Sequence, residues 1–171
     1  MAASCGTSGG GSVQSWWLAT GAILAGLAVV TGAFAAHGLG RHLEDLYGDQ
    51  VRKVAGQEIP ATQKYLADFK TGAEYQMYHA LALVACGLVA APRCRKTLNA
   101  AGWAFVLGIA GFSGSLYTLV LTGQTWLGMI APIGGTAFIV GWVLLALAVC
   151  PCRGKAQAEA SAMGQQVESG M

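Results

Sequence analysis

TGAEYQMYHALALV, residues 71–84, is the stretch whose reading decides the fold. A charged and aromatic run, Glu74, Tyr75, Gln76, Tyr78 and His79, passes without a breaker into an apolar one. Such a switch, with helix-compatible residues on both sides, reads as the mouth of a membrane-spanning helix. The rest of the chain supplies three plainer apolar helices around it.

Composition agrees. The chain has 171 residues, of which 54% are hydrophobic and 11% charged, with a mean hydropathy of +0.52. An ordinary soluble domain carries about 25% charged residues, because its surface must face water. A surface this poor in charge is suited to lipid. The net charge of +2 is small and the positive residues are not gathered on one patch, which argues against a nucleic-acid partner. The length supports one domain.

Upstream of the key stretch, residues 1–15 are rich in Gly and Ser and read as a disordered tail. No Lys or Arg precedes the first apolar run, so the basic region of a secretory signal is missing. A retained helix is the better reading, although the small residues at 33–36 leave a cleavage site as the alternative. Residues 16–36 are 21 uncharged positions, about 31 Å of helix, enough to cross the hydrocarbon core. Trp16 and Trp17 suit the aromatic belt at the headgroups. Ala28, Gly32 and Ala36 form a small-residue face for close helix approach.

Residues 38–59 are polar. Leu43, Leu46, Tyr47, Val51 and Val54 recur at helical spacing opposite Glu44, Asp45, Asp49, Arg52 and Lys53. That pattern predicts a short amphipathic helix on the membrane surface or capping the bundle. Pro60 fits the first turn of the next helix. Tyr65, Leu66, Phe69 and Ala73 then give that helix an apolar face, and its spanning part covers about 75–91, ending at Pro92.

Downstream, residues 99–121 predict a third span with Gly108, Gly111, Ser115, Thr118 and Thr122 on one stripe. After a tight turn, residues 127–150 predict a fourth, with Trp126 at one interface and Gly134, Ala137 and Gly141 as its small face. Pro132 either kinks this helix or marks its first firm turn. Residues 151–171 read as a disordered tail. The fold class predicted is an all-α integral membrane protein, four transmembrane helices in an antiparallel bundle with one amphipathic helix in the first loop.

Four spans place both termini on one side. Arg93, Arg95, Lys96, Arg153 and Lys155 lie there, against Arg41, Arg52, Lys53, Lys64 and Lys70 on the other. The counts tie, but the first set hugs the membrane more closely, which favours cytoplasmic termini.

Four stretches in this order carry a resemblance: GAFAAHGL (32–39), TGAEYQMYHALALV (71–84), FSGSLYTLVLTG (112–123) and LGMIAPIGGTAFIVGW (127–142). Together they resemble the small multi-pass family that includes transmembrane protein 256 and its bacterial relatives, a domain of unknown function. The resemblance covers about residues 16–150. That family often has Gly at the place of Ala35 and Thr at that of Ala131, departures that remove no ionisable group. Its first loop is typically shorter, and both tails are private to this chain. The resemblance implies a protein of the bacterial inner membrane, or of an organelle membrane in eukaryotes. It implies no catalytic residues and no cofactor.

Chemistry must therefore be sought in the residues themselves. On a helical wheel Glu74, Tyr75, Gln76, Tyr78 and His79 sweep one polar arc, with Met77, Ala80, Leu81 and Val84 on the lipid side. With His37, at the end of the first span, they form the candidate polar or solute site, because ionisable groups at membrane depth are functional candidates by default. The plainer reading is interface anchoring and helix–helix hydrogen bonding, which these residues suit equally well and which is preferred here. Two His and one Glu without ligand spacing do not make a metal site. Ser113, Ser115 and Tyr117 have no acid or base in their own span, so they read as packing hydroxyls rather than a nucleophile, and no enzyme is predicted. The odd count of five cysteines, Cys5, Cys86, Cys94, Cys150 and Cys152, argues against a disulfide scaffold. Cys94, Cys150 and Cys152 read as free juxtamembrane thiols, with a metal, a disulfide or an attached lipid as the alternatives, and Cys86 reads as core.

Two functions follow as expectations. One is a structural or accessory bundle that binds lipid, other membrane subunits or itself. The alternative is a small proton-coupled transporter or channel using Glu74 and His79. Small four-span exporters carry a carboxylate in their first span, and residues 16–36 hold none.

Overall fold

The computed structural model describes residues 11–89 and 94–150. The expected tails at 1–10 and 151–171, with Cys5 and Cys152, and the loop with Ala91, Pro92 and Arg93 lie outside the described residues.

Four long helical rods run alternately up and down. α1 is Gly11–His37. α3 is Ala61–Leu88, and its 28 residues make about 42 Å of helix. The third rod is α4 (Arg95–Gly108), a π-helical turn (Ile109–Ser113) and α5 (Gly114–Thr122). α6 is Ala131–Val149. The pairing of levels fixes the directions. Phe34 of α1 meets Phe69 of α3 while Leu18 lies against Gly87. His79 of α3 meets Phe105 of the third rod while Gly72 lies against Tyr117. Gly108 meets Phe138 of α6 while Gly141 lies against Phe105. In each pair residue numbers rise in opposite senses, so neighbouring rods are antiparallel.

Three helical segments, Ser15–His37, Arg95–Thr122 and Thr125–Val149, are long and apolar enough to cross a membrane. α3 has the length, but Lys64, Asp68, Lys70 and Glu74 make its first half polar. Large apolar side chains face outward on the three apolar rods, among them Ile23 (64% exposed), Leu107 (63%) and Ile139 (66%). Their inner faces are packed through small residues, the arrangement of a helix bundle in lipid.

Several boundaries differ from the sequence reading, each for a physical reason. α1 begins at Gly11 rather than Trp16, since adding residues to an existing helix gains a hydrogen bond for each residue fixed. Trp17 is not an interface anchor. It is 3% exposed, its ring covers Gly102 and its Nε1–H donates to Asn99 Oδ1 at 3.1 Å. Trp16, 63% exposed, keeps the outward position.

The amphipathic helix is present but short. α2, Leu39–Tyr47, buries Leu39, Leu43 and Tyr47 and exposes Arg41, Glu44 and Asp45. Leu46 points out. Val51 and Val54 are not helical: β1 (Val51–Val54) pairs with β2 (Gln57–Pro60) in an antiparallel hairpin. Ala55 and Gly56 both have positive φ, 49° and 84°, the two-residue turn whose twist matches paired strands. A spacing of three between two valines satisfies a helix wheel by coincidence; the Ala-Gly turn decides against it. The hairpin is tied at its base by Ala61 N–H to Gln50 O at 2.9 Å. Pro60 closes β2 and caps α3 rather than sitting inside its first turn. α3 leaves the helix at Val89, short of the expected Ala91.

The third rod is not a uniform α-helix. Its π turn adds a residue between Gly108 and Gly114, so a stripe at three- and four-residue spacing cannot persist through it. Gly108 and Gly111 face α6, Ser115 is buried, and Thr118 and Thr122 emerge on the surface. At the fourth span, Thr125–Met129 is a 3-10 helix and α6 begins at Ala131. An α-helix through Leu127 would need a hydrogen bond from residue 132 to the Gly128 carbonyl, and Pro132 has no N–H. The proline therefore marks the first firm turn and not a kink.

Gly123, at φ +72°, closes α5 with its N–H on Leu119 O at 2.8 Å, and a Cβ there would lie 2.9 Å from the Tyr47 hydroxyl. That hydroxyl donates to Val120 O at 3.3 Å. Its pKa is raised, by burial first and then by Tyr65, while Arg52 opposes the shift. Gly123→Val should therefore cost about 2 kcal/mol, from left-handed strain and the displaced tyrosine. Thermal denaturation in detergent checks this, with Gly40→Ala, which has open space, as the neutral control.

Candidate functional site

The polar arc of α3 lies at the middle of the bundle, and its members part company there. Gln76 is 5% exposed and closes both ends of its amide. Nε2 donates to Leu24 O of α1 at 2.9 Å, and Oε1 accepts from the Tyr117 hydroxyl of α5 at 2.9 Å. The Tyr117 hydroxyl also lies 3.3 Å from Thr31 Oγ1, which donates in turn to Ala28 O at 3.1 Å. One side chain thus ties three rods together. Gly72 permits this, because Tyr117 lies where its Cβ would be, at 2.9 Å.

His79, also 5% exposed, sits one turn further along. Its ring stacks on Phe138 of α6 at a centroid distance of 3.4 Å and an angle of 5°. Phe105 and Trp142 flank it at 5.8 and 6.2 Å. Nδ1 lies 2.7 Å from Tyr75 O; a carbonyl only accepts, so Nδ1 carries the proton. The ring is held in one tautomer by its own helix and in one orientation by aromatic packing.

The remaining candidates point elsewhere. Glu74 is exposed, as are Tyr75 (41%) and Tyr78 (55%). Tyr75 lies along Phe112 with centroids 4.8 Å apart. His37 is exposed at the end of α1, beyond Phe34, which pairs with Phe69. Ten residues of α3 separate Phe69 from His79, about 15 Å of helix. The expected common depth of His37 and His79 does not hold, because the antiparallel pairing of α1 and α3 sends the two residues to different levels. Nor is Ala80 on the lipid side: it is fully buried, with its carbonyl 2.7 Å from where a Gly21 Cβ would stand.

Among the helix-packing candidates, Ala28 is buried, and Gly108, Gly111, Gly134 and Gly141 all meet the facing rod. Ser115 turns back on its own rod, Oγ to Phe112 O at 2.9 Å. Gly32 and Ala36 are off the interface: a Cβ at Gly32 meets nothing, and Ala36 is exposed. The packed face of α1 runs instead through Trp17, Gly21, Ala28 and Ala35, a register that a four-residue motif ending at Ala36 misses. Sequence reasoning also missed Gly72, Gly87 and Gly102, each with a neighbouring atom within 3.0 Å of its Cβ position.

Among the described residues no three His, Cys, Asp or Glu side chains group as metal ligands would. Cys86 is buried in the core with Leu83, Leu98 and Phe105, Cys94 packs at its edge and Cys150 is exposed. Ser113 Oγ is buried without a hydrogen-bond partner among the described residues, so no base addresses it.

Comparison with known proteins completes the picture. Residues 31–135 match the family described as protein of unknown function (DUF423). The chain is 42% identical over 128 residues to a UPF0382 membrane protein of Staphylococcus epidermidis, covering 75% of this chain and 89% of that protein. It is 40% identical over 129 residues to the UPF0382 membrane protein YwdK of Bacillus subtilis, covering 75% and 90%. No solved structure matches the chain.

Proposed function

The chain belongs to the DUF423 family, and the relatives named above are membrane proteins; from that premise we propose that it is a structural or accessory four-helix bundle that binds other membrane proteins or lipid. In this reading α3 is the fourth span, beside the three apolar rods. The bundle lies in the cell membrane, or in an organelle membrane if the chain is eukaryotic, with both termini cytoplasmic, and transmembrane protein 256 belongs to the same family.

The observation that carries the reading is the closure of Gln76 onto Leu24 and Tyr117. The polar groups that a transport path would need are spent on joining helices. His79 is packed under Phe138 while Glu74 is exposed, so the two do not share a chamber. What faces outward, Glu74 with Tyr75 and Tyr78, is suited to meet a partner at the outer surface of the bundle.

Native mass spectrometry of the protein released in a mild detergent tests this. The expected result is a stoichiometric protein partner or retained lipid, with the partner-bound fraction falling severalfold in Glu74→Leu. Proteoliposome flux that Glu74→Gln or His79→Ala abolishes, with the protein still folded, would establish the transporter instead.

A further inference from the structure

A pocket of about 200 Å³ opens where the first loop packs on the end of the bundle, lined by Arg52, Lys64, Tyr65, Leu119, Thr125 and Gly128. We propose that it binds a phosphate group, that of an anionic phospholipid headgroup.

The hairpin and the start of α3 bring two cations to one wall. Arg52 stands on β1 and Lys64 one turn into α3. The guanidinium is positioned: Arg52 Nη2 donates to the Tyr65 hydroxyl at 2.8 Å, and Tyr65 is itself 2% exposed. Arg52 Nε, in contrast, is buried with no acceptor among the described residues. The guanidinium charge is shared by all three of its nitrogens, and an anionic oxygen is the acceptor that charged donors bond most strongly. Lys64 Nζ pairs with Asp68 Oδ2, one of the three donors an ammonium offers. Two cations against one carboxylate leave the wall net positive. Thr125 adds an exposed hydroxyl, while Leu119 makes the inner wall apolar.

Size and place select the ligand. Pockets for drug-sized molecules run to roughly 300–1,000 Å³, so this one suits a small head of a larger molecule. Close in the chain to the lining residues Thr125 and Gly128, Trp126 (54% exposed), Met129 (71%) and Ile133 (70%) are exposed apolar side chains. Exposed apolar side chains of this kind suit the acyl chain of a lipid whose phosphate sits in the pocket. The lipid source rests on the four-span reading; the phosphate chemistry does not.

Full-length protein in detergent is offered equal amounts of dioleoyl phosphatidylglycerol or dioleoyl phosphatidylcholine and examined by native mass spectrometry. Thermal shifts with inorganic phosphate are measured in parallel. Wild type should hold one phosphatidylglycerol in preference to phosphatidylcholine by about tenfold, the loss expected when a charge-assisted bond is removed. Arg52→Gln and Lys64→Gln should each erase most of that preference, and Lys64→Arg should keep it. Should Arg52→Gln fail to fold, the two Lys64 variants decide alone. Stabilisation by inorganic phosphate that Lys64→Gln removes, with no lipid preference, keeps the phosphate site and makes its source a soluble phosphate ester. A lipid preference that survives Lys64→Gln, or neither lipid preference nor a phosphate shift, overturns the proposal.

Discussion

Gly134→Val separates α6 from the third rod and lowers stability by about 3 kcal/mol or more, at the upper end of overpacking penalties. A Cβ at Gly134 would stand 2.6 Å from the Gly111 carbonyl carbon and 2.9 Å from Phe112 Cα. Those atoms are backbone, held within the π turn Ile109–Ser113, so no rotamer change relieves the clash. The helix must move as a body, and Phe138, whose ring fills the space over Gly108 and stacks on His79, moves with it. For a chain of this length the loss corresponds to a fall in melting temperature of about 6–12 °C. Gly135, with its nearest neighbour a side-chain atom at 3.8 Å, and Gly32, with nothing near, are the controls. Gly135→Ala and Gly32→Val should melt close to wild type. A Gly134→Val protein as stable as these would show that the rods do not meet where they are placed.

Gln76→Leu should cost about 1–3 kcal/mol although it makes the interior more apolar, because the loss falls on groups left behind. Tyr117 would keep only its 3.3 Å approach to Thr31, and Leu24 O would lose its 2.9 Å bond from Nε2. Hydrogen bonds between membrane helices are individually modest, averaging about 0.6 kcal/mol with a maximum near 1.7. A double-mutant cycle with Tyr117→Phe isolates the shared bond, with an expected coupling of about 1 kcal/mol. Strictly additive losses would mean that Gln76 and Tyr117 act separately. The same cycle speaks to function: if Gln76 serves to join helices, Gln76→Leu and Tyr117→Phe weaken partner retention in proportion to stability. A variant that stays stable and still loses a transport activity would reverse that reading.

Much of the site was visible in residues 71–84. A polar arc entering an apolar helix, with Cys86 behind it in the core, follows from composition and a wheel. What the wheel could not do was divide the arc. Gln76 and His79 turn inward while Glu74, Tyr75 and Tyr78 turn outward, and that division depends on where α1 and α6 lie, which no local periodicity encodes. Tyr117 carried a signal that went unused: a lone phenol inside an apolar span needs a partner, and Gln76 is the neighbour that supplies one. The glycines tell a similar story. Gly108, Gly111, Gly134 and Gly141 were legible as a packing face, but Gly32 was assigned to an interface that Gly21 occupies.

The sequence by itself determined that this is a chain of long apolar helices with an amphipathic interruption, because hydropathy and length are local sums along the chain. Proline chemistry also marked the start of α6, since a missing N–H is a property of the residue alone. Only the tertiary structure decided that residues 51–60 pair as a hairpin, that a π turn divides the third rod, and that Gln76 bridges three helices. Each of these depends on contacts between residues far apart in the chain, or on an energy difference between local conformations small enough for such contacts to settle.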